Sequence, residues 1–329
     1  MTARSAFDGD TRSMLCESMQ RFAREQDATK SALHVWRSIA AQGWLGLGLP
    51  QNAGGYGAFI GDLGLLLSVA GAARWRLPLV ECLGEACGVL LAAPPTRERD
   101  ELLGNIAAGD AVVLMAASHL DPGNVVPSAA ADLCTHLLVE ARNAADGERG
   151  LYLMERSADA ASVDLSNTPA RKLAGASAIN AGRRRAQLLA ACESLAIAQA
   201  VLSATRQHLA GRNQFGQPIL QFQAVQHRLV AIYLRIRELR ALLATAQTAY
   251  DEGDGRLDRL LWQLQAQASA TAITATQEGI QLHGGMGMSA EMPLGDYYKR
   301  ALLLQSLFGS YEFALERLAD TLDFQQEVA

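Results

Sequence analysis

The chain is poor in aromatic residues, in cysteine and in basic clusters, and each shortage narrows what it can be. Aromatic residues make up 6% of the 329 residues, while Ala and Leu dominate, which favours a mainly helical protein. The 5 cysteines (Cys16, Cys82, Cys87, Cys134, Cys192) are odd in number and widely scattered. None stands at metal-ligand spacing from another Cys or His, so reduced, packed thiols are expected and a metal is not. The largest basic cluster, Arg183-Arg184-Arg185, reads as the exposed start of a helix, and the net charge is −5. Such a balance gives no footprint for nucleic acid. No apolar run reads as long enough to span a bilayer, and the opening MTARSAFDGD has no apolar h-region. A cytoplasmic protein without a membrane or nucleic-acid partner is expected.

The length suits two or three packed units. Residues from about Thr11 to Gln26 have helical period, with Met14, Leu15, Met19, Phe22 and Ala23 on one side and Asp10 as the expected N-cap. A second helix from about Ser31 should turn Leu33, Trp36 and Ile39 inward. The segment GWLGLGLPQNAGGYG (Gly43 to Gly57) then reads as a loop. Two buried helices are expected between Gly61 and Ala92, broken around Pro78, and one more over Arg97–Ala108. From Asp110 the character changes: AVVLMAAS, HLLVE and GLYLMER are apolar runs of strand length. The last part returns to helical period. Val225, Leu229, Ile232, Ile236, Leu239, Leu243 and Ala246 alternate three and four apart, the seam of an antiparallel bundle. A like seam runs through Leu257, Leu261, Leu264, Ala268, Ala275 and Leu282. Leu188 to Leu202 and Leu302 to Leu322 supply the other two helices. The expected ranges are 1–109 helical, 110–182 a small β unit, and 183–329 a four-helix bundle.

Two stretches carry the functional signal. QLHGGMGM (Gln281 to Met288) ends a helical segment with three glycines, which let a ligand approach the main chain with no Cβ in the way. It is not a dinucleotide fingerprint, because a helix rather than a strand precedes it. RNQFGQPILQFQ (Arg212 to Gln223) follows the end of another helix, and the planar guanidinium of Arg212 suits a diphosphate.

At their order and spacing these two stretches, with GWLGLGLP and the helical C-terminal half, resemble the acyl-CoA dehydrogenase family. The resemblance implies FAD. Arg212 would contact its pyrophosphate, with Gln214 and Phe215 lining the same site. Gln223, Gln281, Gly284 and Gly285 match adenine-side positions, and Ser310 stands for a cofactor-binding threonine. It also implies acyl-CoA as substrate, an oligomer with FAD shared across a subunit interface, and an electron-transferring flavoprotein as acceptor. The sequence departs from the family in its middle segment. HLDPGNVVPSAAADLCTH, after Ser118, replaces the T-E-P-x-A-G-S-D loop and the Trp-containing strand that hold the flavin ring.

The family's catalytic glutamate is missing as well. Its commonest position falls on Phe308 and its alternative position on Ala186, with Glu312 and Glu193 as displaced substitutes. Removing an α-proton needs a carboxylate within hydrogen-bond reach. The chain therefore looks like the shorter, diverged subunit of heteromeric acyl-CoA dehydrogenases, such as those acting on bacterial steroid side chains, completing the FAD site of a longer catalytic partner. A self-sufficient FAD homo-oligomer and a flavin-free scaffold of the same fold remain the alternatives.

Overall fold

The computed structural model describes residues 4–26, 31–116, 132–142, 149–155, 171–175, 177–289 and 291–321. The middle segment 119–131, on which one departure from the family was read, lies outside them. Contacts divide the chain into two compact units, one made of Ser5–Leu63 and Trp75–Leu189, the other chiefly of Gly64–Arg74 and Ala190–Ala329.

The first unit begins with α1 (Gly9–Glu25), capped by Asp8, whose carboxylate accepts from the Thr11 amide at 2.7 Å. Asp8 rather than Asp10 is the cap, because it is the residue in extended backbone just before the first turn. Met19 is buried, but Met14 is 70% exposed, so the apolar side of α1 is narrower than its period suggests. Phe22 stacks edge-on against Trp44 and Trp75. In α2 (Ala32–Ala41) Trp36 and Ile39 are buried while Leu33 faces outward. Helix α3 (Ile60–Ala73) follows two short 3₁₀ turns, which lie inside the stretch expected to be irregular.

Past Pro78 the chain forms a π-helical segment, Val80–Ala86, that runs into α4 (Cys87–Ala92), and α5 spans Arg97–Ala108. A four-stranded sheet follows in the order β1 (Val113–Ala116), β2 (His136–Arg142), β3 (Arg149–Glu155), β4 (Arg171–Gly175). The β1–β2 pair is parallel and the other two antiparallel. Strand β4, RKLAG, has no alternation to betray it. The sheet brings Cys134 near Cys82 and Cys87, and the Cys87 thiol and burial push the Cys82 thiol well above its usual range. The scatter of these cysteines in sequence hides that cluster.

Helix α6 (Ser177–Gly211) contributes to both units. Contrary to expectation it is long and apolar enough to cross a membrane, but 72% of its most apolar window is buried in the protein, as in a core helix. Arg185 is not exposed either. It is buried and donates to the carbonyls of Leu83 at 2.9 Å and Gly48 at 3.0 Å, so burial leaves its charge hydrogen-bonded.

In the second unit α7 (Gln223–Glu252) buries Leu229, Ile232, Ile236, Leu239, Leu243 and Ala246, the seam read from the sequence. Gly253 closes it, and α8 (Leu257–His283) returns antiparallel with Leu257, Leu261, Leu264, Ala268 and Ala275 buried. The final helix is two. Helix α9 (Leu294–Phe308) stops at Gly309, whose φ of 102° no L side chain adopts readily, and Ser310 caps α10 (Tyr311–Ala319) through the Phe313 amide. Fixed hydrophobic spacing runs through this break, which is why it reads as one helix.

Candidate functional site

The residues expected at the cofactor all lie in the second unit. Just past α6, Arg212 leads into a two-residue hairpin, β5 (Asn213–Gln214) to β6 (Gln217–Pro218). Its turn, Phe215 at φ 53° and Gly216 at φ 82°, has the positive angles of a tight hairpin. The ring of Phe215 is 93% exposed, edge-on to Phe222 just before Gln223. Arg212, Gln214, Phe215 and Gln223 thus form one exposed strip at the junction of α6 and α7.

The end of α8 adjoins it. Gln281, Gly284 and Gly285 are exposed, and a Cβ added at either glycine would meet nothing within 4 Å. A cavity of about 460 Å³ joins the two helix ends, lined by Arg212, His208, Gly211, His283 and Met292 among others. Ser310 is not brought there. Its neighbour Gly309 accepts a bond from Gln265, about four and a half turns before Gln281 on α8, roughly 24 Å along the axis. Within one chain its hydroxyl serves as a helix cap.

Two histidines missing from the sequence reading complete the cavity. His208 and His283 stack with centroids 4.3 Å apart and planes 22° apart. Each occupies the last turn of its helix, where exposed carbonyls favour positive charge. His283 is buried, with Nδ1 2.7 Å from the Gly279 carbonyl. Burial, then His283 and Arg212, hold the His208 imidazole below its ordinary range. The signal was in the sequence: one His stands a helical turn before Arg212, the other directly before Gly284. An exposed guanidinium, open glycine backbone and two imidazoles form a donor set that fits a diphosphate-bearing cofactor.

The base positions look different. Phe308 is buried at the end of α9. Ala186 is fully buried, and a Cβ added at Gly84 would come within 2.8 Å of its Cα, so the helices there touch backbone to backbone. The substitutes do not repair this. Glu193 is 2% exposed and held in a two-pronged ion pair, with Arg300 Nε to Oε1 at 2.7 Å and Nη2 to Oε2 at 2.8 Å. Arg300, on α9, is its internal partner. Glu312 is exposed in the first turn of α10, its carboxyl held below the usual range by its own amide and the Ser310 hydroxyl. Glu85, on the π-helical segment, has its carboxyl raised to about 7, by burial and by Glu81 against the pull of Arg183. No motif or periodicity marks it among its neighbours.

The comparisons agree with this architecture. The acyl-CoA dehydrogenase C-terminal domain matches residues 174–322. The acyl-CoA dehydrogenase IpdE2 of Mycobacterium tuberculosis is 30% identical over 293 residues, covering 86% of this chain and 85% of that one. The chain therefore belongs to the acyl-CoA dehydrogenase family, whose fold is that of FAD oxidoreductases. Among solved structures, a chain of the Tcur3481–Tcur3483 steroid acyl-CoA dehydrogenase superposes with a TM-score of 0.81 at 26% identity, covering 95% of this chain and 97% of that one. A chain of the ChsE4–ChsE5 complex of M. tuberculosis has a TM-score of 0.75 at 18% identity, covering 95% of each.

Proposed function

We propose that this chain is the non-catalytic subunit of a two-component acyl-CoA dehydrogenase and lends its Arg212 surface to the FAD of a longer partner. One observation carries the reading: the cofactor-facing residues are exposed and open, while both positions for the family's base hold buried hydrocarbon. FAD, when bound, supplies the two-electron acceptor for α,β-desaturation of an acyl-CoA thioester. With that acceptor in place the α-proton would go to a glutamate of the partner, and the two electrons removed with the β-hydrogen would pass on from the flavin to an electron-transferring flavoprotein.

This chain's part is binding. Arg212 places paired donors on the diphosphate, and the Gly284–Gly285 backbone admits the nucleotide end. Helix α7 supplies a docking face: Val230, Tyr233 and Leu234 are 52%, 49% and 53% exposed beside a groove of about 530 Å³ rimmed by Arg206, Arg237 and Arg240. Apolar side chains with an arginine rim have the composition of an interface. The relatedness to a steroid acyl-CoA dehydrogenase solved as a two-component protein supports the same assignment.

The test is co-expression with a longer dehydrogenase of the family. The complex should purify yellow. Arg212→Ala should weaken its flavin binding by about 1.5–3 kcal/mol, the loss of a charge-assisted hydrogen bond. Unchanged flavin retention would show Arg212 to be an ordinary surface residue.

A further inference from the structure

Resting on the diphosphate reading of the Arg212 surface, we propose that the stacked His208–His283 pair makes this site proton-linked: a diphosphate enters the cavity together with one proton, which the imidazole pair holds.

The geometry begins with a tautomer. A carbonyl can only accept, so the 2.7 Å contact to Gly279 makes His283 Nδ1 the donor, and in the neutral ring Nε2 is then a bare acceptor. That Nε2 is buried and has no hydrogen-bond partner, and the same holds for Nε2 of His208. Buried polar atoms nearly always have a partner. Two such atoms on adjacent rings of one cavity wall mark a place where a ligand atom belongs.

The surrounding charges say which ligand. From α6 the neighbouring charged group is Arg212, and from α8 it is His283 itself. Glu278, farther back on α8, is paired with Arg228 of α7. Past α8 the wall is the thioether of Met292, and the adjacent Glu291 is solvent-exposed. No acidic side chain is among the residues lining the cavity. Burial, His283 and then Arg212 all disfavour a positive charge on His208 and hold its imidazole below the ordinary range. A diphosphate favours that charge. It offers oxygens that need donors, and His283, whose Nδ1 proton is committed to Gly279, can donate through Nε2 only when protonated. Both rings sit at helix C-termini, where the extra charge is favoured. Rings 4.3 Å apart repel each other when both are charged, so the pair takes one proton rather than two.

The direction follows by linkage. The imidazole pKa is higher with the anion bound than without it. The added affinity is complete below the free pKa and is lost as pH rises through the bound one.

The test is calorimetric titration of the flavin-stripped complex of this chain and its longer partner with ADP-ribose, a diphosphate diester with no ionisation of its own near neutral pH. It is run between about pH 6 and pH 8, where histidine titrates, in two buffers of different ionisation enthalpy. Uptake of close to one proton per ligand is expected. Affinity should fall by up to about tenfold per pH unit across the window, the limit for one linked proton. Replacing both rings, His208→Gln with His283→Gln, whose amides donate without titrating, should abolish both proton uptake and pH dependence. Binding that is lost in Arg212→Ala, yet takes up no proton in the wild type and has the same pH profile in the double variant, would overturn this inference and leave the diphosphate site standing. No binding at any pH would overturn both.

Discussion

The ends of α6 and α8 and the two base positions, on α6 and α9, are opposite in kind. At Arg212, Gln214, Phe215 and Gly284–Gly285 the chain exposes polar donors and even an aromatic ring. At Phe308 and Ala186 it packs hydrocarbon, at Ala186 so closely that helix backbones touch. Packing of that density takes the place of chemistry, since no proton acceptor can be added without displacing a neighbour. The exposed ring of Phe215 leaves apolar surface that a bound ligand or partner can cover. The contrast separates holding a cofactor from using it.

The comparison can be broken most forcefully by restoring the base. Phe308→Glu in the isolated chain should leave turnover at background on a panel of acyl-CoA thioesters, although general-base catalysis is typically worth about 10²–10⁴. A carboxylate cannot act without a positioned acceptor. Turnover rising by anything near that factor would show that the site was one substitution from working.

Next in size is the Glu193–Arg300 pair. If it is a structural ion pair, Arg300→Met strands a buried carboxylate and should cost about 3–5 kcal/mol in urea denaturation. Adding Glu193→Gln should recover much of that loss. A small loss for Arg300→Met alone would mean that Glu193 is free enough to be a base.

Glu85 sharpens the comparison from the other side. Its carboxyl is raised to about 7 from an ordinary 4.5, so the folded chain holds that proton more tightly than the unfolded chain. The stability is present below about pH 4.5 and lost as pH rises through about 7. Glu85→Gln should therefore stabilise the protein above neutrality by about 2–3 kcal/mol and flatten its pH profile across that window. An unchanged profile would mean that Glu85 reaches water.

The smallest effect concerns Ser310. Removing the α10 cap with Ser310→Ala should cost about 0.5–2 kcal/mol of stability. A matching fall in flavin retention by the assembled complex would add a cofactor role to the cap.

Much of this was legible in the residues. The α7 and α8 seams show because every third or fourth residue must face a neighbour, and α5 shows because Thr96 and Gly109 cap it. The Arg212 and Gly284 motifs show because turns demand particular residues at fixed spacing. What stayed hidden depends on three dimensions. The burial of Arg185 is set by carbonyls at Leu83 and Gly48. Arg300 finds Glu193 across the bundle, and the break at Gly309 is one glycine inside an unbroken apolar period. His208 and His283 are far apart in sequence and meet only because α6 and α8 end together.

The most direct measurement of the central claim is flavin content and turnover of the wild-type chain, purified first alone and then after co-expression with a longer acyl-CoA dehydrogenase. Turnover is assayed on acyl-CoA thioesters with an artificial electron acceptor. The account predicts no turnover and no stoichiometric flavin alone, and both in the complex. Stoichiometric flavin with turnover in the isolated chain would contradict it and make this protein a self-sufficient dehydrogenase.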